Sequence, residues 1–447
     1  MSTHESVKKA GVVGLGYVGL PLAVTMARKG LPVVGFDISA RRVEQTNKGI
    51  SEIDDIPSST LEPFVKQGLI EATIDFRRLA ECDLISICVP TPLRKTRDPD
   101  ISHIMDSLER VAETLRLGQI VILESTTYPG TTQELVLPRL EANGLKAGRD
   151  FYLAFSPERV DPGRVEHTTA NIPKVVGGIT PACTERAVAA YSLIFEKIVP
   201  VSNAMTAEMT KLLENTFRQV NIGLINEVAQ ICQRLGISVW EVVDAASTKP
   251  FGFMPFYPGP GLGGHCIPVD PHYLAWKMRT LNYTTRFIEL ASTVNLEMPR
   301  YVVERVAEAL NEDRKPLHGS QVLLLGMAYK KNVSDYRESP ALDVLEVLRH
   351  KYAEVIYHDP HVPVLRIPGV GIDMASTPLT PESLGGADVV VILTDHSAFD
   401  PHMILEHAKL VYDARNMLKR AEAERRAAGL RCARVLRLGD GLRPFEG

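Results

Sequence analysis

The chain has 447 residues, 45% of them hydrophobic and 23% charged, with a formal net charge of -4 at pH 7. This composition excludes a disordered chain, and the mild acidity excludes the basic surface that nucleic-acid binding requires. A length of 447 residues implies two or three domains, each able to bury its own core.

The opening "MSTHESVKK" runs into a strand-like segment without an apolar leader, and no window approaches the ~18 uninterrupted apolar residues of a membrane span. A cytoplasmic protein without a membrane partner is expected. The next segment, "AGVVGLGYVGLPLAVTMARKGLPVVGFDIS", reads as strand, glycine turn, helix and strand. Gly14, Gly16 and Gly19 form G-x-G-x-x-G. In that pattern the first glycine allows the tight turn, the second lets the backbone approach a pyrophosphate, and the third lets helix pack on strand. Tyr17 and Val18 lie inside the turn and are expected beside the same cofactor. Asp37, at the end of the second strand, is placed to accept hydrogen bonds from an adenosine ribose, which favours NAD over NADP. Arg42 follows closely enough to meet a 2′-phosphate, but Asp37 would repel that phosphate.

Further strands are expected in "CDLISICVPTP" and "GQIVILESTTYPG", each ending in small hydroxyl and proline residues where a parallel sheet presents its ligand edge. Pro90 and Thr91 are cofactor candidates at that edge. Alternating strands and helices continue to about residue 200. From Ala204 to Leu235 the pattern becomes one long amphipathic helix, stopped by Gly236. A second long helical segment, "TTRFIELASTVNLEMPRYVVERVAEALNE", contains Pro299, where a kink or break is expected. The exposed faces of these helices are candidates for a homodimer or higher homo-oligomer interface.

The last third repeats the logic of the first. "QVLLLGMAYK", "SPALDVLEVLRHKY", "EVIYHDP" and "GADVVVILTD" parallel the opening strand, helix, acid-ended strand and later strand. The glycine fingerprint is replaced by "MAYKKNVSDYRES", whose Lys330, Lys331 and Arg337 suit phosphates. His358 and His361 in "YHDPH" are read as loop histidines, and no metal site is expected. The fold class is therefore α/β, with two doubly wound Rossmann-like domains joined by a central helical domain containing a long helix. The expected divisions are 1–203 for NAD, 204–308 for the helical and dimerisation segment with a catalytic loop, and 309–447 for a nucleotide-linked substrate.

The six cysteines, Cys82, Cys88, Cys183, Cys232, Cys266 and Cys432, show neither C-x-x-C nor zinc-ligand spacing. Cys88 and Cys232 sit in apolar periodic contexts and read as small buried hydrophobes. Cys266 sits instead in "GPGLGGHCIPVDP". Gly259, Gly261, Gly263 and Gly264 would let that backbone approach a ligand, with Gly263 a substrate contact, and Asp270 follows at short range. Two nucleotide-type domains imply two ligands, with Cys266 expected between them. A thiolate beside a nicotinamide points to aldehyde oxidation through a thiohemiacetal and a thioester. A two-electron dehydrogenase, an epimerase or an NAD-sensing module would not need that cysteine.

Over essentially its whole length the chain resembles the UDP-glucose/GDP-mannose dehydrogenase family of nucleotide-sugar 6-dehydrogenases. The resemblance rests on "GLGYVGLPLA", "VPTP", "SPERVDPG", "EMTKLLENTF", "GPGLGGHCIPVDP" and "YKKNVSDYRESPA", in that order. It implies an NAD-dependent four-electron oxidation of a sugar C6 alcohol to the acid, with Cys266 capturing the aldehyde, and a place in polysaccharide biosynthesis. It further implies that Lys211 and Asn215 stabilise oxyanions, that Asp270 is a base or water-orienter, and that Glu158 positions the hydrolytic water. Thr126, or its neighbour Thr127, supports that water. Glu158, Arg159, Lys211, Gly263 and Lys330 are implied to contact the nucleotide sugar, and Arg337 to reach the cofactor. His265 before the cysteine resembles the bacterial enzymes for N-acetylated sugars, so UDP-N-acetylglucosamine is the expected substrate. UDP-glucose, TDP-glucose and UDP-N-acetylmannosamine remain alternatives.

Overall fold

The computed structural model describes residues 7–53, 56–94, 98–159, 171–264, 267–367 and 371–441. They form two compact units, Met1–Asn215 with Val269–Thr284, and Thr216–Pro268 with Thr285–Gly447.

The first unit is built on strands β1 (Ala10–Val13), β2 (Val33–Phe36), β3 (Ile70–Thr73), β4 (Leu84–Ile87), β5 (Ile120–Leu123), β6 (Tyr152–Phe155), β7 (Lys174–Gly178) and β8 (Ile198–Pro200). Their order in the sheet is β3-β2-β1-β4-β5-β6-β7-β8. Pairing is parallel from β3 to β6, antiparallel between β6 and β7, and parallel again to β8. The central strands are unbroken apolar runs because both faces are covered. Val12, Ile120 and Ile122 pack into one core, and Val13, Val121 and Leu123 into the other. Helix α1 (Gly19–Arg28) follows β1 and buries Leu20, Leu22, Ala23 and Met26. The strand order reverses between β1 and β4, which puts the ligand crevice of such a sheet at the carboxyl ends of those two strands.

Helix α2 (Ala204–Leu235) matches the expected span, and Gly236 ends it at φ 74°, a left-handed conformation that costs glycine little. Its residues through Asn215 belong to the first unit. So does helix α3 (Asp270–Arg279), although it lies far along the chain. Its Tyr273 hydroxyl donates to the Thr91 carbonyl at the end of β4 (2.9 Å), its Trp276 ring lies 4.9 Å from that of Tyr128, and Lys277 pairs with Glu134 at 2.7 Å.

In the second unit, helix α4 (Arg286–Glu312) runs through Pro299 without a break, contrary to one reading of the sequence. Proline removes the N–H that Asn295 would otherwise receive, but Met298, Val302 and Val303 around it are fully buried and hold the helix on the core. Strands β9 (Gln321–Leu325), β10 (Glu354–His358), β13 (Val389–Ile392), β14 (Leu410–Asp413) and β15 (Arg434–Arg437) form an all-parallel sheet in the order β10-β9-β13-β14-β15. Helix α5 (Pro340–His350) connects β9 to β10, and β11 (Val364–Ile367) with β12 (Ile372–Ala375) makes a separate antiparallel hairpin. Here the order reverses between β9 and β13.

Among the described residues no helix is long and apolar enough to cross a membrane.

Candidate active site

The fingerprint turn separates glycines by what constrains them. Gly14 adopts φ 91°, and a Cβ there would lie 2.8 Å from the Cys88 carbonyl oxygen. A Cβ on Gly19 would lie 1.8 Å from the Gly14 oxygen. Both are required by the protein's own packing. A Cβ on Gly16 would meet nothing within 4 Å, so the protein's own packing does not require glycine there. This opening beside a helix N-terminus fits a pyrophosphate.

Asp37 is buried, and its Oδ2 accepts from Leu15 N (3.0 Å) and Arg42 Nη1 (3.3 Å) while Oδ1 accepts from Ser39 N (2.9 Å). The acid therefore shapes the turn. Arg42 is committed to it and is not a lone cation awaiting a 2′-phosphate. Tyr17 is exposed and Val18 half-buried on the turn, while Pro90 is exposed and Thr91 buried at the end of β4.

Lys211, Asn215 and Asp270 converge in the first unit. All three are buried, and Asn215 Nδ2 donates a very short hydrogen bond to Asp270 Oδ2. Burial pushes Asp270 up to about 6, against the opposing pull of the Lys211 charge and the Asn215 hydrogen bond. A carboxyl held near neutrality can take and return a proton at working pH. The i, i+4 spacing of Lys211 and Asn215 on α2 puts both groups on the face toward α3. Glu208, one turn earlier, is also buried and accepts from Gly130 N (2.5 Å), Thr132 N (2.9 Å) and Thr132 Oγ1 (2.7 Å). It ties the "TTYPGTT" turn to the same helix. In that turn Thr127 is spent on Thr131 (2.6 Å), whereas Thr126 is half-exposed, so the geometry favours Thr126 as the residue facing outward.

Glu158 sits beside a fully buried ion pair that the sequence reading missed. Lys174 Nζ lies 2.6 Å from Glu124 Oε2 and 3.3 Å from Glu158 Oε2. Tyr191 donates to the other oxygen of Glu124 and contacts Ser86 Oγ at 3.1 Å. Burial alone would lower the Lys174 pKa, but the two carboxylates outweigh it and raise it, so the ammonium stays charged. Arg159 reaches Glu214 (2.5 Å) and the Pro173 carbonyl (2.8 Å). The "SPER" segment is thus fixed from both sides.

In the second unit, the described part of the glycine-rich loop packs on protein. A Cβ on Gly263 would lie 2.7 Å from Pro340 Cδ and 2.9 Å from the Glu338 oxygen. On Gly264 it would lie 2.8 Å from the Tyr329 ring, and on Gly261 2.9 Å from Pro340 Cβ. These contacts supply a reason for glycine that the sequence reading had assigned to a ligand. The loop begins at Gly259, whose N–H donates to Asn226 Oδ1 (3.0 Å) on α2. Asn226 donates to Asn295 Oδ1 (2.9 Å), Asn295 to the Gln219 carbonyl (3.3 Å), and Gln219 to Ser292 Oγ (2.8 Å). His265 and Cys266 lie outside the described residues. Lys330 is half-buried, Lys331 faces Asp395 at 3.5 Å, and Arg337 forms a two-point pair with Asp335 (2.9 and 2.7 Å). His358 Nδ1 meets the Thr377 carbonyl (2.8 Å), and the His361 ring packs on that of His396. Among the described residues no group of three or more His, Cys, Asp and Glu side chains gathers as a metal site.

Cys88 and Cys232 are buried as their apolar contexts imply, and burial raises the pKa of both thiols.

Three family models match in sequence. These are the NAD binding domain (residues 8–196), the central domain (205–297) and the UDP binding domain (323–420) of the UDP-glucose/GDP-mannose dehydrogenase family. The chain belongs to that family. Among its relatives, a UDP-N-acetyl-D-glucosamine 6-dehydrogenase from Pseudomonas aeruginosa is 37% identical over 393 residues, 88% of this chain and 91% of the relative. An NDP-N-acetyl-D-galactosaminuronic acid dehydrogenase from Ralstonia nicotianae is 34% identical over 87% of this chain and 90% of its own. A solved UDP-D-ManNAc dehydrogenase from Pyrococcus horikoshii superposes with a TM-score of 0.86 at 33% identity, covering 97% of this chain and 99% of that one. This member of the UDP-glucose/GDP-mannose dehydrogenase family is an NAD-dependent nucleotide-sugar dehydrogenase.

Proposed function

We propose that the chain oxidises the C6 alcohol of UDP-N-acetylglucosamine to the uronic acid in two NAD-linked steps through a thioester on Cys266. The observation that carries the reading is the buried convergence of Lys211, Asn215 and Asp270, with Asp270 raised to about 6. NAD, when bound at the Gly16 turn, supplies the hydride acceptor for both oxidations.

The protein's part is charge and proton management. Asp270 takes the proton released as the alcohol is oxidised. The Cys266 thiolate adds to the aldehyde carbon, and the resulting alkoxide is held by the Lys211 ammonium and the Asn215 amide. After the second oxidation, water oriented by Glu158 and Thr126 adds to the thioester carbonyl, and the thiolate leaves to regenerate Cys266. Arg159, Gly263 and Lys330 contact the nucleotide sugar, and Arg337 reaches toward the cofactor. The divisions 1–203, 204–308 and 309–447 carry NAD, the helical and dimerisation segment, and the nucleotide sugar. A homodimer is supported by the exposed apolar residues of α2, among them Met209, Leu213, Phe217, Leu224 and Ile231.

The N-acetylated sugar is supported by the three relatives above, whose names carry an N-acetylated amino sugar or its uronic acid. Two measurements test the reading. Exhaustive turnover should release two NADH per sugar consumed; one NADH would overturn the thioester route. Across UDP-N-acetylglucosamine, UDP-N-acetylmannosamine, UDP-glucose and TDP-glucose, kcat/KM should be highest for the first, and any other ranking reassigns the sugar while leaving the chemistry intact.

A further inference from the structure

The loop that follows β9 leaves the sheet at its reversal point, where ligands of such sheets bind. It is held from below by a relay, buried at Asp359 and His396, that no part of the chemistry above uses. Asp359, at the end of β10, accepts from Met327 N (2.6 Å) and Ala328 N (2.9 Å) through Oδ2. The same oxygen lies 3.1 Å from His396 Nε2, and both side chains are wholly buried. His396 Nδ1 lies 2.9 Å from the backbone N of Asn332. An N–H faces Nδ1, so that nitrogen is the acceptor, and the ring proton sits on Nε2 and is donated to Asp359. Asn332 adopts φ 59°, a left-handed conformation an asparagine tolerates but does not choose freely. Its side chain exchanges two further hydrogen bonds with Ser397, 3.0 Å from Nδ2 to Oγ and 2.9 Å from Ser397 N to Oδ1.

We propose that His396 is a positioning residue for nucleotide-sugar binding: the Asp359–His396–Asn332 relay fixes the backbone that presents Lys330 and Lys331. This rests on the reading that the loop borders the nucleotide. The relay defines the loop from its first residue to its left-handed end, so the two lysines between are offered in one arrangement. Asp359 stands where Asp37 stands in the first unit, but it is turned wholly inward and has given its acceptor capacity to the loop.

Substitutions at His396 separate the two hydrogen bonds. His396→Gln keeps a donor within reach of Asp359 and supplies no acceptor for the Asn332 N–H. His396→Asn keeps an acceptor near the Nδ1 position and loses the donor. The Kd for UDP and the KM for the nucleotide sugar should rise roughly tenfold in His396→Gln, the effect of leaving one part-buried donor without its acceptor. Recovery toward wild type is expected in His396→Asn, with kcat and the KM for NAD within about twofold in both variants. A merely structural role would lower kcat through lost active enzyme and leave both KM values alone. That pattern, or an unchanged UDP Kd in folded His396→Gln, overturns the proposal. Lys330→Met measured alongside distinguishes the two readings. Weaker UDP binding in Lys330→Met with unchanged binding in both His396 variants refutes the relay alone, and unchanged UDP binding in all three refutes the relay and the loop's contact with the nucleotide together.

Discussion

The two α/β domains close the same turn with the same device and use it differently. In each, an aspartate at the end of the second strand accepts backbone N–H groups from the loop after the first: Asp37 from Leu15, and Asp359 from Met327 and Ala328. Around Asp37 the turn keeps an opening at Gly16. Around Asp359 the turn is filled, and His396 completes the seal. Burial raises acids in both units, Asp270 and Glu124 in the first and Asp343 and Asp413 in the second; in the first, Asp270 lies in the field of Lys211, and Glu124 pairs with Lys174. Asp359, the counterpart of Asp37, is by contrast held down to about 2, because hydrogen bonds from His396 and the backbone overcome its burial. Chemistry that moves protons and charge needs groups poised against their environment; holding a nucleotide needs fixed geometry.

The largest effect is expected at Lys174. Lys174→Met should cost about 3–5 kcal/mol, because it removes the cation of a buried ion pair and leaves Glu124, still held by Tyr191, without its counter-charge. Glu124→Gln/Lys174→Met should recover most of that. The tryptophans divide between the units, Trp276 in the first and Trp240 in the second. Urea unfolding followed in a Trp240→Phe background therefore reads the first unit, and a loss seen equally by Trp240 would remove the asymmetry.

Next comes Lys211→Ala, expected to lower kcat by ~10²–10³, or about 2.7–4 kcal/mol, while the KM for the nucleotide sugar changes little. Steady-state kinetics with the sugar varied decides this. An effect confined to KM makes Lys211 a ground-state contact.

The aspartates should respond to pH with opposite signs. Asp270 is raised from 3.8 to about 6. Wild type therefore loses stability as pH rises through that window, and Asp270→Asn should be more stable by up to about 3 kcal/mol at pH 8. The advantage disappears as pH falls toward 3.8. Asp359 is lowered from 3.8 to about 2, so its contribution is present above 3.8 and lost as pH falls toward 2. Asp359→Asn should accordingly cost about 2 kcal/mol at pH 7. Denaturation curves at several pH values for both variants check the signs.

The smallest effect on stability is expected at Gly16. Gly16→Ala should leave stability within about 0.5 kcal/mol and weaken NAD binding, measured by calorimetry. Gly19→Ala should damage the fold, since its Cβ would fall on the Gly14 oxygen. Equal stability losses in the two variants would mean that the opening is a packing feature.

What the sequence made legible was local and periodic. The glycine turn, the span of α2 with its stop at Gly236, and the echo of strand, helix and acid in the last third could all be read from spacing. Lys174 could not, because a single lysine at the head of "KVVGG" carries no periodic signal and its partner Glu124 lies 50 residues away. Neither could the docking of α3 on the loop after β4, where one hydroxyl, Tyr273, finds one carbonyl, Thr91. His396 was hidden for the same reason: its role exists only once three loops at the carboxyl edge of one sheet are brought together.

The amide ladder from Ser292 through Gln219, Asn295 and Asn226 to Gly259 bears on how a new sugar preference could be engineered. Its rungs are buried side-chain bonds between α2 and α4, and the last rung is the backbone of the glycine-rich loop itself. A slide of one helix past the other by a single turn, ~5.4 Å, would break every rung between them at once. The loop is thus spliced to an address written on the two helices. A graft of residues 259–271 from a relative with another substrate would inherit the recipient's address, and a working transplant should carry the residues matching Gln219, Asn226, Ser292 and Asn295 along with the loop.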